Sequence, residues 1–491
     1  MTKSKEIYYK ISELYKKGKY SEINKINELL DDNLKNDIEI LNILGTSLIH
    51  EKSFYKAIEI FQKIKSINPK DNKVNINLGN LYRLTRQYEL ALKFFNDFAQ
   101  SNQDSYQVYY NLALTYISIG KIDLAIENFD LSLKYLSSEN KNLINQICEH
   151  YIGNLINLGL NDKAIETSNK LILKFPNSFI LHWRLANLYT WSNKEDKAEK
   201  FYKKAINIEP QNEPLKFDFA VWCKKNGKND DAIELFKSIK FGQSRALYIM
   251  TLFQLDRYDE FQDEILKACS NYKGNRLLAN LNKYASYLFN QDDQYPFCKN
   301  PFDFIYTNNI GQEDLINNVL KKIDSMEINP TNQKLLKNGV QSSGNLFQLK
   351  SSSLNKLREI IMTEIELYKN QFSKKSEYFI ENWPKDSTLK SWYINLKEGG
   401  TLDYHIHHDG WISGTVYLEV PKTDKEIEGS IQFGFNNVNY KFLKDLPTRT
   451  FKPKSSDIVI FPSSLSHRVN PFQETKNNDR RVSLAFDLIP I

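Results

Sequence analysis

The chain contains seven histidines, and His405, His407 and His408 fall within four positions of one stretch, DYHIHHDGWISGTVYLEVP, Asp403 to Pro421. Asp409 follows directly. Neutral imidazole is the commonest side-chain metal ligand. On a strand His405 and His407, two residues apart, project from the same face, and Asp409 joins them if the strand continues. His408 points the other way and is expected at the surface. A fourth histidine, His467, follows the apolar run Ile458 to Phe461 and the segment Pro462 to Ser466. Two ligands close in sequence plus a distant histidine can build a three-ligand metal face in an antiparallel barrel. Such a face keeps positions open for a bidentate cosubstrate and for O2. Two ligand sets fit: His405, His407 and His467, or a register shifted by two that uses His407, Asp409 and His467. The first is preferred because Asp409-Gly410 reads as a turn. Fourteen residues after His467 stands Arg481, with Ser483 two further on. A guanidinium fork beside a hydroxyl suits a buried carboxylate. Trp392, Tyr393, Asn395 and Tyr417 are candidates to line the cavity, and Trp411 to cap it or to fill core.

The elements that must position these groups are short. From Leu389 onward the runs LKSWYINL, the histidine stretch, ISGTVYLEVP, SIQFGF, TRTFKP, DIVIFP and RRVSLAFDLI carry strand propensity, separated by turn signals such as Gly399-Gly400 and Pro421. Six or more such strands predict a double-sheet barrel of jelly-roll or cupin-like architecture, able to enclose a ligand. Apolar periodicity predicts helices over Gln312 to Met326 and Asn355 to Phe372. Gly339 to Leu349 reads as a polar loop.

The first half repeats. Leu44-Gly45, Leu78-Gly79 and Leu112-Ala113 recur every 34 residues, followed by Ala57, Ala91 and Ala125 and then Phe61, Phe95 and Phe129. The phase slips by five residues, placed in the linker Ser137 to Asn142, and resumes through Ala164, Ala186, Ala198, Tyr202, Ala220, Ala232 and Phe236. Weaker units lie at Gly18 to Leu29 and Leu247 to Leu266. Small residues let two helices approach, large ones fill the gap to the next unit, and units stack into a superhelix. The pattern resembles the tetratricopeptide repeat family over residues 5–268, about seven units with degenerate ends. Such arrays present a groove to a protein or peptide. Trp183, Trp191 and Trp222 could line it, although at least two are expected to be packing. The phase is lost after Asn271, and 269–300 is read as a linker.

The second half carries a resemblance too. SWYINL, the two glycines, HIH, GWISGTVYLEVP, IVIFPSSLSHRV and RRVSLAF, with GVQSSGNLF upstream, resemble the 2-oxoglutarate/Fe(II)-dependent oxygenases often fused to tetratricopeptide repeats. The likeness covers residues 301–491. It implies a double-stranded β-helix, Fe(II), 2-oxoglutarate as cosubstrate and O2. It also implies iron bound by His405 or His407 with His467, and the distal carboxylate of 2-oxoglutarate held by Arg481 with Ser483. The expected fold is therefore α + β and multidomain: an all-α repeat superhelix, then a jelly-roll with flanking helices. The expected function is hydroxylase-type oxidation of a C–H bond, with the repeats recruiting a protein substrate or partner. Two other readings use the same residues. One is a scaffold acting through its repeats beside a barrel without activity; the other is a cupin-like metalloenzyme that does not use 2-oxoglutarate.

Composition sets the outer bounds. At 491 residues, with 66 basic and 60 acidic side chains, the net charge of +6 is small and offers nothing to nucleic acid. Four scattered cysteines without a CxxC pair argue against a disulfide framework or a zinc site. With no apolar signal region at the start and no run long enough to span a bilayer, a cytoplasmic protein is expected.

Overall fold

The computed structural model describes all residues except 1, 2, 28, 29, 31–33, 241, 326–329, 332–334, 343, 350, 424 and 474–479. Leu29, Met326 and Ser343, assigned above to a repeat, a helix and a loop, therefore lie outside the described residues. The chain divides into two compact units, Met1–Leu215 and Lys216–Ile491.

The first unit is helical. Paired helices run Ile38–His50 with Phe54–Ile67, Lys73–Leu84 with Tyr88–Ser101, Tyr106–Ser118 with Ile122–Tyr135, Lys141–Asn157 with Asn161–Lys174, and Phe179–Trp191 with Glu195–Ile208. The small-against-large rule is literal here. A Cβ on Gly79 would sit 2.5 Å from the Phe95 ring, and one on Gly45 would sit 2.7 Å from Phe61. The aromatic ring occupies the space that the glycine leaves, and Phe61, Phe95 and Phe129 are fully buried. Four of the five slipped residues have a different origin from the one expected. The segment between Tyr135 and Lys141 is ordinary in length, but Lys141–Asn157 has 17 residues where Tyr106–Ser118 and Phe179–Trp191 have 13. The extra residues lengthen a helix by about one turn, which keeps its buried face in phase. Of the three tryptophans, Trp222 in the second unit is buried, whereas Trp191 is 58% exposed.

The second unit begins with further helices, including Asn229–Lys237, Gly242–Gln254, Tyr258–Asn271 and Arg276–Leu288. The last of these falls inside the expected linker at 269–300. Its residues Leu278, Leu281, Tyr284 and Ala285 are buried. They leave the 34-residue phase because their neighbours are barrel loops. Asn280 donates to the Ser464 carbonyl (3.1 Å) and the Tyr284 hydroxyl to the Lys441 carbonyl (2.5 Å).

Among the described residues ten strands follow: β1 Tyr306–Asn309, β2 Pro330–Thr331, β3 Leu336–Ser342, β4 Ser387–His405, β5 Ile412–Glu419, β6 Ile431–Gly434, β7 Arg449–Phe451, β8 Asp457–Pro462, β9 Ser466–Val469 and β10 Arg481–Pro490. They form an antiparallel half-barrel in the order β1-β8-β5-β10-β4-β9-β6-β7, with β3 also on β4 and β2 on β3. This is the jelly-roll arrangement. Helices Glu313–Asp324 and Ser352–Phe372 flank it, the Tyr368 hydroxyl bonding to the Phe304 carbonyl at 3.1 Å. Among the described residues no helix is long and apolar enough to cross a membrane.

Two segments differ from the sequence reading. Gly399-Gly400 does not separate two strands. It forms a bulge inside β4, which pairs with β10 from Ser387 to Leu396 and with β9 at Leu402 and His405. One strand thus carries the chain across to the histidine end. The supposed loop after Gly339 begins as strand: residues to Ser342 belong to β3, and Gly339 lies across from Leu396. A Cβ there would meet Leu396 at 2.5 Å and the Asn395 carbonyl at 2.8 Å, so this glycine marks a close approach between strands.

The aromatic plug yields a stability prediction. Phe95→Ala should cost about 3–5 kcal/mol of unfolding free energy, read from urea denaturation of the full chain by far-ultraviolet circular dichroism. A cost below ~1 kcal/mol would show that the ring does not fill the interface.

Candidate metal and cosubstrate site

The end of β4 and the short strand β9 lie antiparallel, with His405 directly opposite His467. Two residues beyond His405 the chain turns, and His407 comes back over the same cavity. The rings of His405 and His467 have centroids 4.4 Å apart, and His407 lies 5.2 Å from the first and 5.1 Å from the second. One ring nitrogen from each of the three lies within 4.8 Å of the others. His405 Nε2 and His407 Nε2 are 3.2 Å apart. Two imidazole nitrogens bound at a right angle, with bonds of about 2.1 Å, would lie about 3 Å apart, so this spacing fits one ion.

The other nitrogens decide the tautomers. His405 Nδ1 faces the Asp403 carbonyl (2.8 Å), His467 Nδ1 the Leu465 carbonyl (3.2 Å), and His407 Nδ1 the Asp487 carboxylate (2.6 Å). Carbonyls and carboxylates only accept, so each Nδ1 carries the proton and each Nε2 keeps its lone pair for the centre of the cluster. Burial pushes the His405 imidazole down to about 3, helped by His407. Burial likewise holds His467 well below its usual range, with His405 and His407 adding to the effect. Both are therefore neutral donors at neutral pH.

The same cavity, about 350 Å³, reaches Arg481 and Ser483 on β10. Arg481 is 2% exposed. Its Nε donates to the Gly429 carbonyl at 2.9 Å, Nη1 lies 3.4 Å from Ser483 Oγ, and the guanidinium stands 5.0 Å above the Tyr417 ring. Burial lowers its pKa, and no carboxylate of the described residues pairs with it. A buried, unpaired cation is costly, and an anionic ligand entering the cavity would relieve that cost.

Asp409 stands apart from the cluster. Its carboxylate accepts from His408 Nδ1 at 2.9 Å, with 72% and 52% of the two side chains exposed. The shifted register is thus not the one in which the side chains gather. His408 and Asp409 lie at the cavity rim. Of the other candidates, Trp392 lines the cavity with its ring 5.4 Å from His407, whereas Tyr393 and Asn395, of opposite parity on β4, do not line it. Trp411 fills core: it is 7% exposed, and its indole donates to the Phe379 carbonyl at 2.8 Å.

One residue was missed. Asp487 is buried beside His407 and lines the cavity. The signal was present, because Arg481, Ser483, Ala485 and Asp487 share one parity on β10, and Asp487 is the single charge in the run Val482 to Ile489.

Comparisons with known proteins agree with this description. Residues 390–487 match a family model described as "Putative 2OG-Fe(II) oxygenase", and residues 106–135 and 181–212 match the tetratricopeptide repeat model. The chain carries repeats of that kind followed by a domain of that oxygenase type, a family that implies Fe(II) and 2-oxoglutarate. It is 28% identical over 112 residues to anaphase-promoting complex subunit CDC16 of Saccharomyces cerevisiae, covering 21% of this chain. It is 32% identical over 96 residues to superkiller protein 3 of Schizosaccharomyces pombe, covering 20% of this chain. The chain spans only 13% and 7% of those relatives. A crystal structure of a Pseudomonas putida prolyl-4-hydroxylase aligns at 16% identity over 38% of this chain and 92% of that one, with a TM-score of 0.29.

The exposed rim pair yields a prediction. Asp409→Ala should change unfolding free energy by no more than about 1 kcal/mol, measured by chemical denaturation. A larger loss would give that carboxylate a structural role that its exposure does not support.

Proposed function

We propose that residues 301–491 form an Fe(II)- and 2-oxoglutarate-dependent oxygenase domain that oxidises a C–H bond, and that the repeats, over roughly residues 5–268, recruit the protein substrate or a partner. One observation carries the reading. Three Nε2 lone pairs face one point in a cavity that also holds a buried arginine with no carboxylate partner among the described residues. A structural metal site has no use for such an arginine; a site for a dicarboxylate cosubstrate does.

In this reading His405, His407 and His467 hold the iron, and Asp409 does not. Arg481 and Ser483 hold the distal carboxylate of 2-oxoglutarate and so orient its other end toward the histidines. When bound, Fe(II) with 2-oxoglutarate and O2 supplies the oxidising chemistry, with succinate and CO2 as co-products. The chain's own residues supply geometry and dryness. Phe461 stands 4.7 Å from His467, and Ile394, Leu402, Ile431 and Val469 complete an apolar wall. Such a wall excludes water and strengthens each polar contact inside it. The four cysteines are scattered without a CxxC pair, which supports a reducing, cytoplasmic location.

The test is an anaerobic titration of metal-free protein with Fe(II) and then 2-oxoglutarate, watched for the visible charge-transfer band of the chelate. The band is expected with the wild type. His467→Ala should lose iron; iron retained at wild-type stoichiometry would remove the site. Arg481→Met should keep iron but weaken 2-oxoglutarate by about 30-fold or more, as truncating one partner of a buried charge pair does. Unchanged cosubstrate affinity would remove the carboxylate role.

A further inference from the structure

Three imidazole ligands give a metal face without negative charge, but the cavity is not without a carboxylate. Asp487 projects from β10 on the same face as Arg481, at the opposite end of the strand. Its Oδ1 accepts from His407 Nδ1 at 2.6 Å and from the Ser413 hydroxyl at 2.6 Å. Ser413 and Ser463 share a further hydrogen bond of 2.7 Å, and the His407 amide donates to the Ser463 carbonyl at 3.3 Å. The chain turning after His407 lies against the carboxylate: a Cβ on Gly410 would come within 3.2 Å of it. A nearby cation, Arg276, feels the carboxylate only through space: its hydrogen bonds go to the carbonyls of Gly274 (2.8 Å) and Asp409 (3.0 Å).

We infer that Asp487 is a positioning residue that supplies, through His407, the negative charge a carboxylate ligand would otherwise bring. The inference rests on the metal reading above. The two nitrogens of an imidazole point to opposite sides of the ring, so a carboxylate bonded at Nδ1 stands behind the ligand and cannot reach the ion. It acts in two ways. It fixes the tautomer and plane of His407, which sits on a turn and lacks the strand pairing that holds His405 and His467. It also draws the Nδ1 proton and makes Nε2 a stronger donor. The other two histidines face backbone carbonyls, which orient a ring but carry no net charge. His407 is thus distinguished by its partner. The consequence is electrostatic: a buried negative charge behind one ligand favours the higher oxidation state of a bound metal.

Asp487→Asn keeps the shape and removes the charge. Fe(II) affinity, measured by anaerobic competition with a chromophoric chelator, should fall by about 10–100-fold. The Fe(III)/Fe(II) midpoint potential, from redox titration, should rise. Ser413→Ala removes the carboxylate's other hydrogen bond but leaves its charge on His407, so its affinity should stay within about threefold of wild type and its potential should not move. If Asp487→Asn leaves affinity and potential unchanged while the wild type binds iron, the inference fails and the metal reading stands. If both variants weaken iron equally with no shift in potential, Asp487 only braces the turn and the inference fails. A wild type that binds no iron removes both. Should Asp487→Asn not fold, the zinc-loaded wild type still decides. A slowly exchanging, strongly downfield His407 Nδ1 proton is expected by NMR, and its absence overturns the inference.

Discussion

Three imidazoles and a guanidinium share one cavity, and none of them can be buried there without an answer to its desolvation. Burial keeps His405 and His467 neutral, and the acceptors at every Nδ1 take up the ring N–H groups and turn the lone pairs inward. The guanidinium is answered only in part, by the Gly429 carbonyl, the Ser483 hydroxyl and the Tyr417 ring. Much of the second unit can be read from this constraint. The bulge in β4 exists so that one strand can pair with β10 at one end and with β9 at the other. β10 exists in its register so that one of its faces carries Arg481, Ser483 and Asp487 while Val482, Leu484, Phe486 and Leu488 pack away from the cavity. Moving that strand by one residue would exchange the two sets.

Much of this was legible in the amino-acid sequence, for reasons that can be named. Period two on a strand predicts His405 and His407 as neighbours; they are, but the strand ends at His405 and a turn brings His407 over the cavity, while the apolar run before His467 does place it on a returning strand. The 34-residue repeat announced itself because Gly79 and Phe95 are two halves of one contact. Asp409-Gly410 reads as a turn, which favours three histidines over a shifted register, and the chain does turn there, with the Asp409 carboxylate facing His408.

What was not legible depended on partners far away in sequence. Gly339 looked like loop punctuation, yet it is glycine because Leu396 and the Asn395 carbonyl lie against it. Helix Arg276–Leu288 looked like a linker because its partners are the loops at Ser464 and Lys441, so it keeps no repeat phase. Asp487 had the right parity and stood alone among apolar residues. It went unread because a single aspartate gains meaning only when the fold brings His407 back over it, 80 positions away. Pattern reading finds elements that agree with themselves and misses residues whose reason lies in another element.

The docked helix also bears on how this domain could be excised or inherited. Arg276, Asn280 and Tyr284 bond to the backbone around Asp409, Ser464 and Lys441, so the helix braces two segments that carry the histidines. A fragment cut at the first strand would lose those donors and expose Phe253-facing Tyr440 and its aromatic neighbours. A piece that keeps these contacts therefore starts no later than residue 275, inside the stretch 269–300 that the repeat phase marks as a linker. A gene fusion joining a helical array to a barrel at this point is no longer a string of two beads, because the seam has been sewn into the fabric of the second.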